Sequence, residues 1–164
     1  MQIPVINKSN NELPAYANPG DAGMDLRADL RTIQEKFLFG VDIIYNEDHT
    51  IREIIILPNG RALIPTELYT AIPLGYEVQI RPRSGLALKY GITVLNTPGT
   101  IDSGYRNGWG VILKNEGSEN FRIKQGDRIA QAVLSKIETI EWLPTENLDE
   151  TVRGLTGFGD SGIK

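Results

Sequence analysis

Glycine and proline cut this chain into short pieces. Glycine occurs 17 times and proline 9 times, and what lies between them is of strand length more often than helix length. The pieces 60–66, 77–81, 91–95, 111–114, 120–123 and 129–137 read as strands, with 69–72 a short strand or extended link. In GYEVQIRPRSG, Val78 and Ile80 alternate with Gln79 and Arg81, the period of a half-buried strand. Pro82 and Gly85 mark the turn that follows. Many short strands at this spacing predict an all-β sandwich or barrel. Helical signal is confined to GLALKY at 85–90, with Ser84 as its expected N-cap.

Three regions differ from this rhythm. Residues 32–58 hold two β-prone runs around the polar centre Asn46-Glu47-Asp48, which predicts an extended hairpin with His49 exposed near its tip. Residues 138–152 read as a strand end followed by an exposed connector. The last stretch, RGLTGFGDSGIK at 153–164, is glycine-rich around one aromatic. Such a tail is costly to order; it is either a frayed terminus or a lid whose ring stacks and whose arginine binds phosphate. Residues 1–152 are therefore expected to form one domain, with 153–164 flexible.

The scarce residues limit the chemistry. No cysteine is present and His49 is the single histidine, which excludes disulfides, thiolate nucleophiles and multi-histidine zinc sites within a chain. Any reaction must rest on carboxylates, arginines, hydroxyls and amides. With 17 Lys+Arg against 21 Asp+Glu, a general nucleic-acid surface is disfavoured, although converging arginines suit a compact anion. No apolar run approaches the roughly twenty residues of a membrane helix. The amino terminus lacks a signal-peptide pattern. A cytoplasmic protein without membrane or nucleic-acid partners is expected.

Glycine beside charged or hydroxyl residues recurs just outside the expected strands, in PGDAGMDL (19–26), PRSGLA (82–87), GTIDSGYR (99–106) and GDRIAQ (126–131). Singly, each has a turn-forming explanation. Together with the tail they supply Arg83, Arg128 and Arg153, the carboxylates Asp25 and Asp102, and Ser84, Gln131 and Tyr105. That inventory suits an anion site with a carboxylate base.

These segments, AGMDL (22–26), PRSGLA (82–87), NTPGTIDSGYR (96–106), GDRIAQ (126–131) and RGLTGFG (153–159), resemble in order and spacing the five signature motifs of the trimeric all-β dUTPase family. The resemblance implies a dUTPase-like distorted β-sandwich or jelly-roll barrel (β-clip) with one short helix, the stretch 38–57 being a hairpin insertion. It also implies hydrolysis of dUTP to dUMP and diphosphate by water attack on the α-phosphorus, with Mg2+ on the triphosphate, in a homotrimer whose pockets combine several subunits.

By the same resemblance, Asp102 activates the water, and Ser84 and Gln131 serve the phosphate chain near the scissile bond. Arg83 and Gly85 belong to the phosphate side, Asn96 helps read uracil beside hairpin backbone groups, and Tyr105 excludes a ribose hydroxyl. In the tail, Phe158 stacks on the base, Arg153 grips the terminal phosphate, and Gly159 and Ser161 complete the substrate contacts. Asp25 stands near the metal and acts through water, while Arg128 supports phosphate-side or subunit contacts.

Two departures from the motif pattern stand out. Asn107 follows Tyr105-Arg106 where glycine is usual, and a left-handed asparagine would preserve the turn. Asp160 replaces a hydroxyl residue after GFG. Two other functions remain open on sequence alone: a dCTP deaminase or bifunctional relative, and an inactive nucleotide-binding regulatory module.

Overall fold

Val78 and Ile80 are buried while Glu77 and Gln79 are half-exposed, so the alternation in this segment does mark a strand with one face inward. The computed structural model describes residues 1–152 and 154. Among them the strands are β1 (Val5–Asn7), β2 (Gly23–Arg27), β3 (Leu38–Tyr45), β4 (Ile51–Pro65), β5 (Leu68–Thr70), β6 (Tyr76–Arg81), β7 (Ile92–Val94), β8 (Gly99–Ile101), β9 (Gly110–Asn115), β10 (Phe121–Lys124) and β11 (Arg128–Lys136). One α-helix, α1 (Ser84–Tyr90), follows β6, and 3-10 turns occupy Leu30–Thr32 and Glu35–Phe37.

Two main sheets enclose the core. One runs β2-β11-β6-β8; the other runs β10-β4-β9-β7 with β3 on the free side of β4; β1 and β5 make a separate ribbon. Leu26, Val78, Ile80, Ala130 and Ala132 from the first sheet pack with Ile54, Ile56, Ile64, Leu113 and Ile123 from the second. Each fully buried isoleucine or leucine contributes about 1.5–3 kcal/mol. The expected alternatives were sandwich or barrel. The sheets form the sandwich-like arrangement and do not close into a barrel, since among the described residues no strand of one sheet pairs with a strand of the other.

The hairpin lies where the sequence places it. β3 pairs antiparallel with β4, and His49 sits exposed in the connecting turn with φ 63°. The segment 60–66, however, is no separate strand: it is the second half of β4, which runs on through Pro58 and Gly60. The register slips by three residues between Phe39 and Val41, the extra residues lying in β4, and Gly40 takes φ 63° there. A side chain on Gly60 would strike the Gly40 carbonyl and stand 2.8 Å from that of Leu57. The breakers thus form a bulge that bends a continuous strand instead of ending it.

Three smaller expectations are corrected. All of AGMDL but Ala22 lies within β2 rather than outside a strand. Ser84 does not cap α1: Arg83 holds the cap position with extended backbone and no capping side-chain bond, and Ser84 is the first helical residue. Third, Asn107 is not left-handed; among the described residues the non-glycine positive φ values belong to His49, Asn59 and Glu67. The helix ends where Gly91 adopts φ 67° and donates to Ala87 O, a left-handed cap that glycine accepts without strain.

Candidate functional site

Antiparallel pairing sets Asp25 of β2 opposite Gln131 of β11, and Gln131 opposite Arg81 of β6. Residues directly opposite share a sheet face. A carboxylate, an amide and a guanidinium therefore stand in one row across three strands. Beside them opens a cavity of about 390 Å3 whose lining includes Asp21, Asp25, Arg81 and Gln131.

Pro82 ends β6, and the side chain of Arg83 turns back onto that row. Its Nε donates to Asp25 Oδ1 at 2.7 Å and its Nη2 to Oδ2 at 3.4 Å, while Arg128 Nη1 donates to Oδ2 at 3.1 Å. Arg83 Nη1 also donates to the Arg128 carbonyl at 3.1 Å, tying the two arginines together. Asp25 and both arginines keep contact with solvent, so each pair adds at most about 1 kcal/mol of stability. The electrostatic consequence matters more. Two cations share one carboxylate, leaving a net positive charge beside an open cavity, which suits an anion.

Gln131 is oriented by the same turn: its Nε2 donates to the Pro82 carbonyl at 2.8 Å. Ser84 and Gly85 follow at once, in the exposed first turn of α1. The guanidinium of Arg83 carries donors only and cannot accept from the free N–H groups of the helix end, so its side chain does not cap. Its carbonyl instead accepts from the Leu86 and Ala87 N–H groups. Asp25, Arg83, Ser84, Gly85, Arg128 and Gln131 thus form one neighbourhood.

Asp102 and Tyr105 form another, while Asn96 stands over Gly99, opposite Ile80 of β6. A Cβ on Gly99 would come within 3.2 Å of Asn96 Nδ2. The Tyr105 N–H donates to Asp102 O at 3.1 Å and its hydroxyl to Gly108 O at 3.2 Å, so the loop closes on itself. All three residues are exposed. A side chain on Gly108 would come within 3.2 Å of the Tyr69 ring. The Tyr69 phenol is itself pushed up by burial and by the carboxylate of Glu67 that it donates to. The expected hairpin around Asn96 is not a paired one: β7 bonds to β9 and β8 to β6, so the chain crosses between sheets at this point.

Within one protomer the two neighbourhoods stay apart. Ile101 of β8 pairs with Val78, and Asp102 continues toward the Tyr76 end of β6. Arg81, Gln131 and Ser84 belong to the other end. The register difference alone corresponds to about 13 Å along the strand. Arg153, Phe158, Gly159 and Ser161, like Asp160, lie outside the described residues.

Sequence reasoning placed Arg128 among phosphate-side or subunit contacts and assigned no role to Arg81. Arg81 was legible in principle, because the alternation of β6 sends it to the face opposite Val78 and Ile80. The Arg128 contact depends on pairing between β2 and β11, strands a hundred residues apart, and has no local signal.

The dUTPase family model matches residues 9–162. The chain is 46% identical over 162 residues to the deoxyuridine 5'-triphosphate nucleotidohydrolase of Finegoldia magna, covering 99% of each chain. It is 50% identical over 151 residues to the Brucella melitensis protein of the same name, covering 92% of this chain and 85% of that one. In fold it resembles the Staphylococcus bacteriophage 80alpha dUTPase solved with dUpNHpp, with a TM-score of 0.77 at 24% identity over 99% of each chain. It also resembles the dUTPase from phage phi11 of S. aureus, with a TM-score of 0.71 at 21% identity over 92% of this chain and all of that one. Motif order, strand register and these relatives agree: the chain belongs to the dUTPase family.

Proposed function

We propose that this protein is a dUTP diphosphatase, converting dUTP and water to dUMP and diphosphate. The observation that carries the reading is the Asp25–Arg83–Arg128 cluster beside Gln131 and the first turn of α1. It offers positive charge, amide and hydroxyl groups where a triphosphate would lie. Named relatives at 46–50% identity act on deoxyuridine triphosphate by their names, which supports the same substrate here.

In this reading Asp102 takes a proton from the attacking water as a general base. Ser84 and Gln131 hold the phosphate chain and the water in line, and Arg83 and Arg128 offset charge on the phosphoryl oxygens. Asn96 reads the uracil edge, and the ring of Tyr105 packs against the sugar where a ribose hydroxyl would clash. The tail residues Arg153, Phe158, Gly159 and Ser161 close over the substrate as a lid.

Among the described residues no group of three or more His, Asp or Glu side chains converges to cage a metal. Asp25 nevertheless fits a Mg2+ ion carried by the triphosphate. Its Oδ1 accepts one hydrogen bond, from Arg83, and a carboxylate oxygen has a second lone pair for a metal-bound water. Mg2+ would neutralise phosphate charge. A structure of phi11 phage dUTPase with a structural Mg(II) ion is consistent with metal binding in this fold.

We further infer a homotrimer with composite pockets. The separation of Asp102 from Gln131 along β6 supports it, because a single protomer lacks a complete site. The reading keeps the cytoplasmic location expected from the sequence; among the described residues no helix is long and apolar enough to cross a membrane.

The test is diphosphate release from dUTP, dCTP and UTP, with and without Mg2+, by the native chain and by Asp102→Asn. The expected result is turnover of dUTP alone, lowered about 10³-fold by the substitution. Ammonia release from dCTP, tight dUTP binding without turnover, or an unimpaired Asp102→Asn protein would each reject the assignment.

A further inference from the structure

The geometry points to Gly23 as a positioning residue for Gln131. Gly23 opens β2 and pairs with Val133, two residues along β11 from Gln131. The Gln131 side chain lies across it. A Cβ at Gly23 would overlap Gln131 Oε1 and stand 3.3 Å from Cδ and 3.5 Å from Cβ of the same side chain. All three nearest atoms to that missing Cβ belong to one residue, so the space that glycine leaves is filled by the Gln131 carboxamide.

The other end of that carboxamide is held as well, since Nε2 donates to the Pro82 carbonyl at 2.8 Å. Pro82 O fixes the nitrogen, and the bare Gly23 backbone admits the oxygen. The amide is left with one orientation, beside Asp25 and Arg81 at the mouth of the cavity. The φ of Gly23 is not in the left-handed region, so an alanine there carries no backbone strain. The atom it would displace is the far end of a flexible side chain. An added methyl group is therefore tolerated by the fold but not by the amide, which must rotate or withdraw and loosen its bond to Pro82.

This inference rests on the reading of Gln131 as a site residue, and the test separates the two. Gly23→Ala, Gln131→Ala and the double variant are compared by dUTP turnover, and the native protein and Gly23→Ala by the 15N–1H signals of the Gln131 side-chain amide. Gly23→Ala is expected to shift those signals and to lower kcat about tenfold or more, with KM changed by less than about twofold. In the Gln131→Ala background it is expected to add nothing, because its effect passes through the missing amide.

Unmoved amide signals would overturn the positioning role, whatever the activity. So would a fully active Gly23→Ala beside an impaired Gln131→Ala. An equal loss in both backgrounds would show that the methyl acts on the cavity or the fold directly. If Gln131→Ala is fully active while the amide signals do move, the site reading of Gln131 fails and the geometric coupling stands.

Discussion

Asp25 illustrates how one carboxylate organises several motifs. Arg83 spans both of its oxygens and also reaches the Arg128 carbonyl, a three-acceptor geometry that needs a planar fork. Lysine at 83 would keep the charge and lose the bridge. Arg83→Lys is therefore expected to lower kcat/KM for dUTP about tenfold while changing unfolding free energy by less than about 1 kcal/mol, read by steady-state kinetics and denaturant titration. Tyr105 makes a separate residue-scale prediction. Replacing it with alanine removes the ring proposed to exclude a 2'-hydroxyl and should raise the UTP to dUTP activity ratio; an unchanged ratio would reject sugar selection by this side chain.

At the scale of elements, Asp29 fastens the segment after β2. It is fully buried, and burial would push its carboxyl up. The guanidinium and backbone N–H of Arg31 more than offset this and hold it below the usual range, with Arg31 Nη2 at 2.5 Å from Oδ2 and Nε at 2.8 Å from Oδ1. A carboxyl lowered by folding adds stability that is present above the unfolded value near 3.8 and lost as pH falls through the folded value. Asp29→Asn is thus expected to cost about 2 kcal/mol at neutral pH, a difference that narrows below about pH 4. Thermal melting across that range checks it, and a cost independent of pH would contradict the ionic account.

The strands and the hairpin were legible because their signals are local: alternation in β6, and two β-prone runs around a polar centre for β3 and β4. The course of β4 through Pro58 and Gly60 was not. It depends on Gly40 in the facing strand supplying a matching bulge, and no window of sequence around residue 58 contains that partner. Asp25 was read as a loop residue for a similar reason. Met24 and Leu26 alternate with Asp25 and Arg27, but the glycine and aspartate residues around them read as a turn, and their strand character is fixed by pairing with β11. The five motifs, in contrast, contain Asp25, Arg83, Ser84, Arg128 and Gln131 but not Arg81, and what they hid was which of these residues sit together.

The whole molecule raises the question of completeness. Leu88 of α1 is 88% exposed, and Trp142 and Leu143 of the connector are 83% and 89% exposed, large apolar side chains that association between copies would cover. The phosphate-side residues and Asp102 fall at opposite ends of β6. Both features are accounted for if each pocket draws Asp102 from one copy and Gln131 from another.

The most direct test mixes two inactive proteins. Asp102→Asn and Gln131→Ala are co-refolded in equal amounts and assayed on dUTP, next to each variant refolded alone. If pockets are shared, some sites in the mixed assemblies receive an intact Asp102 from one chain and an intact Gln131 from another, and activity should return to about a quarter of the native level. Mixed assemblies no more active than the separate variants would contradict the account.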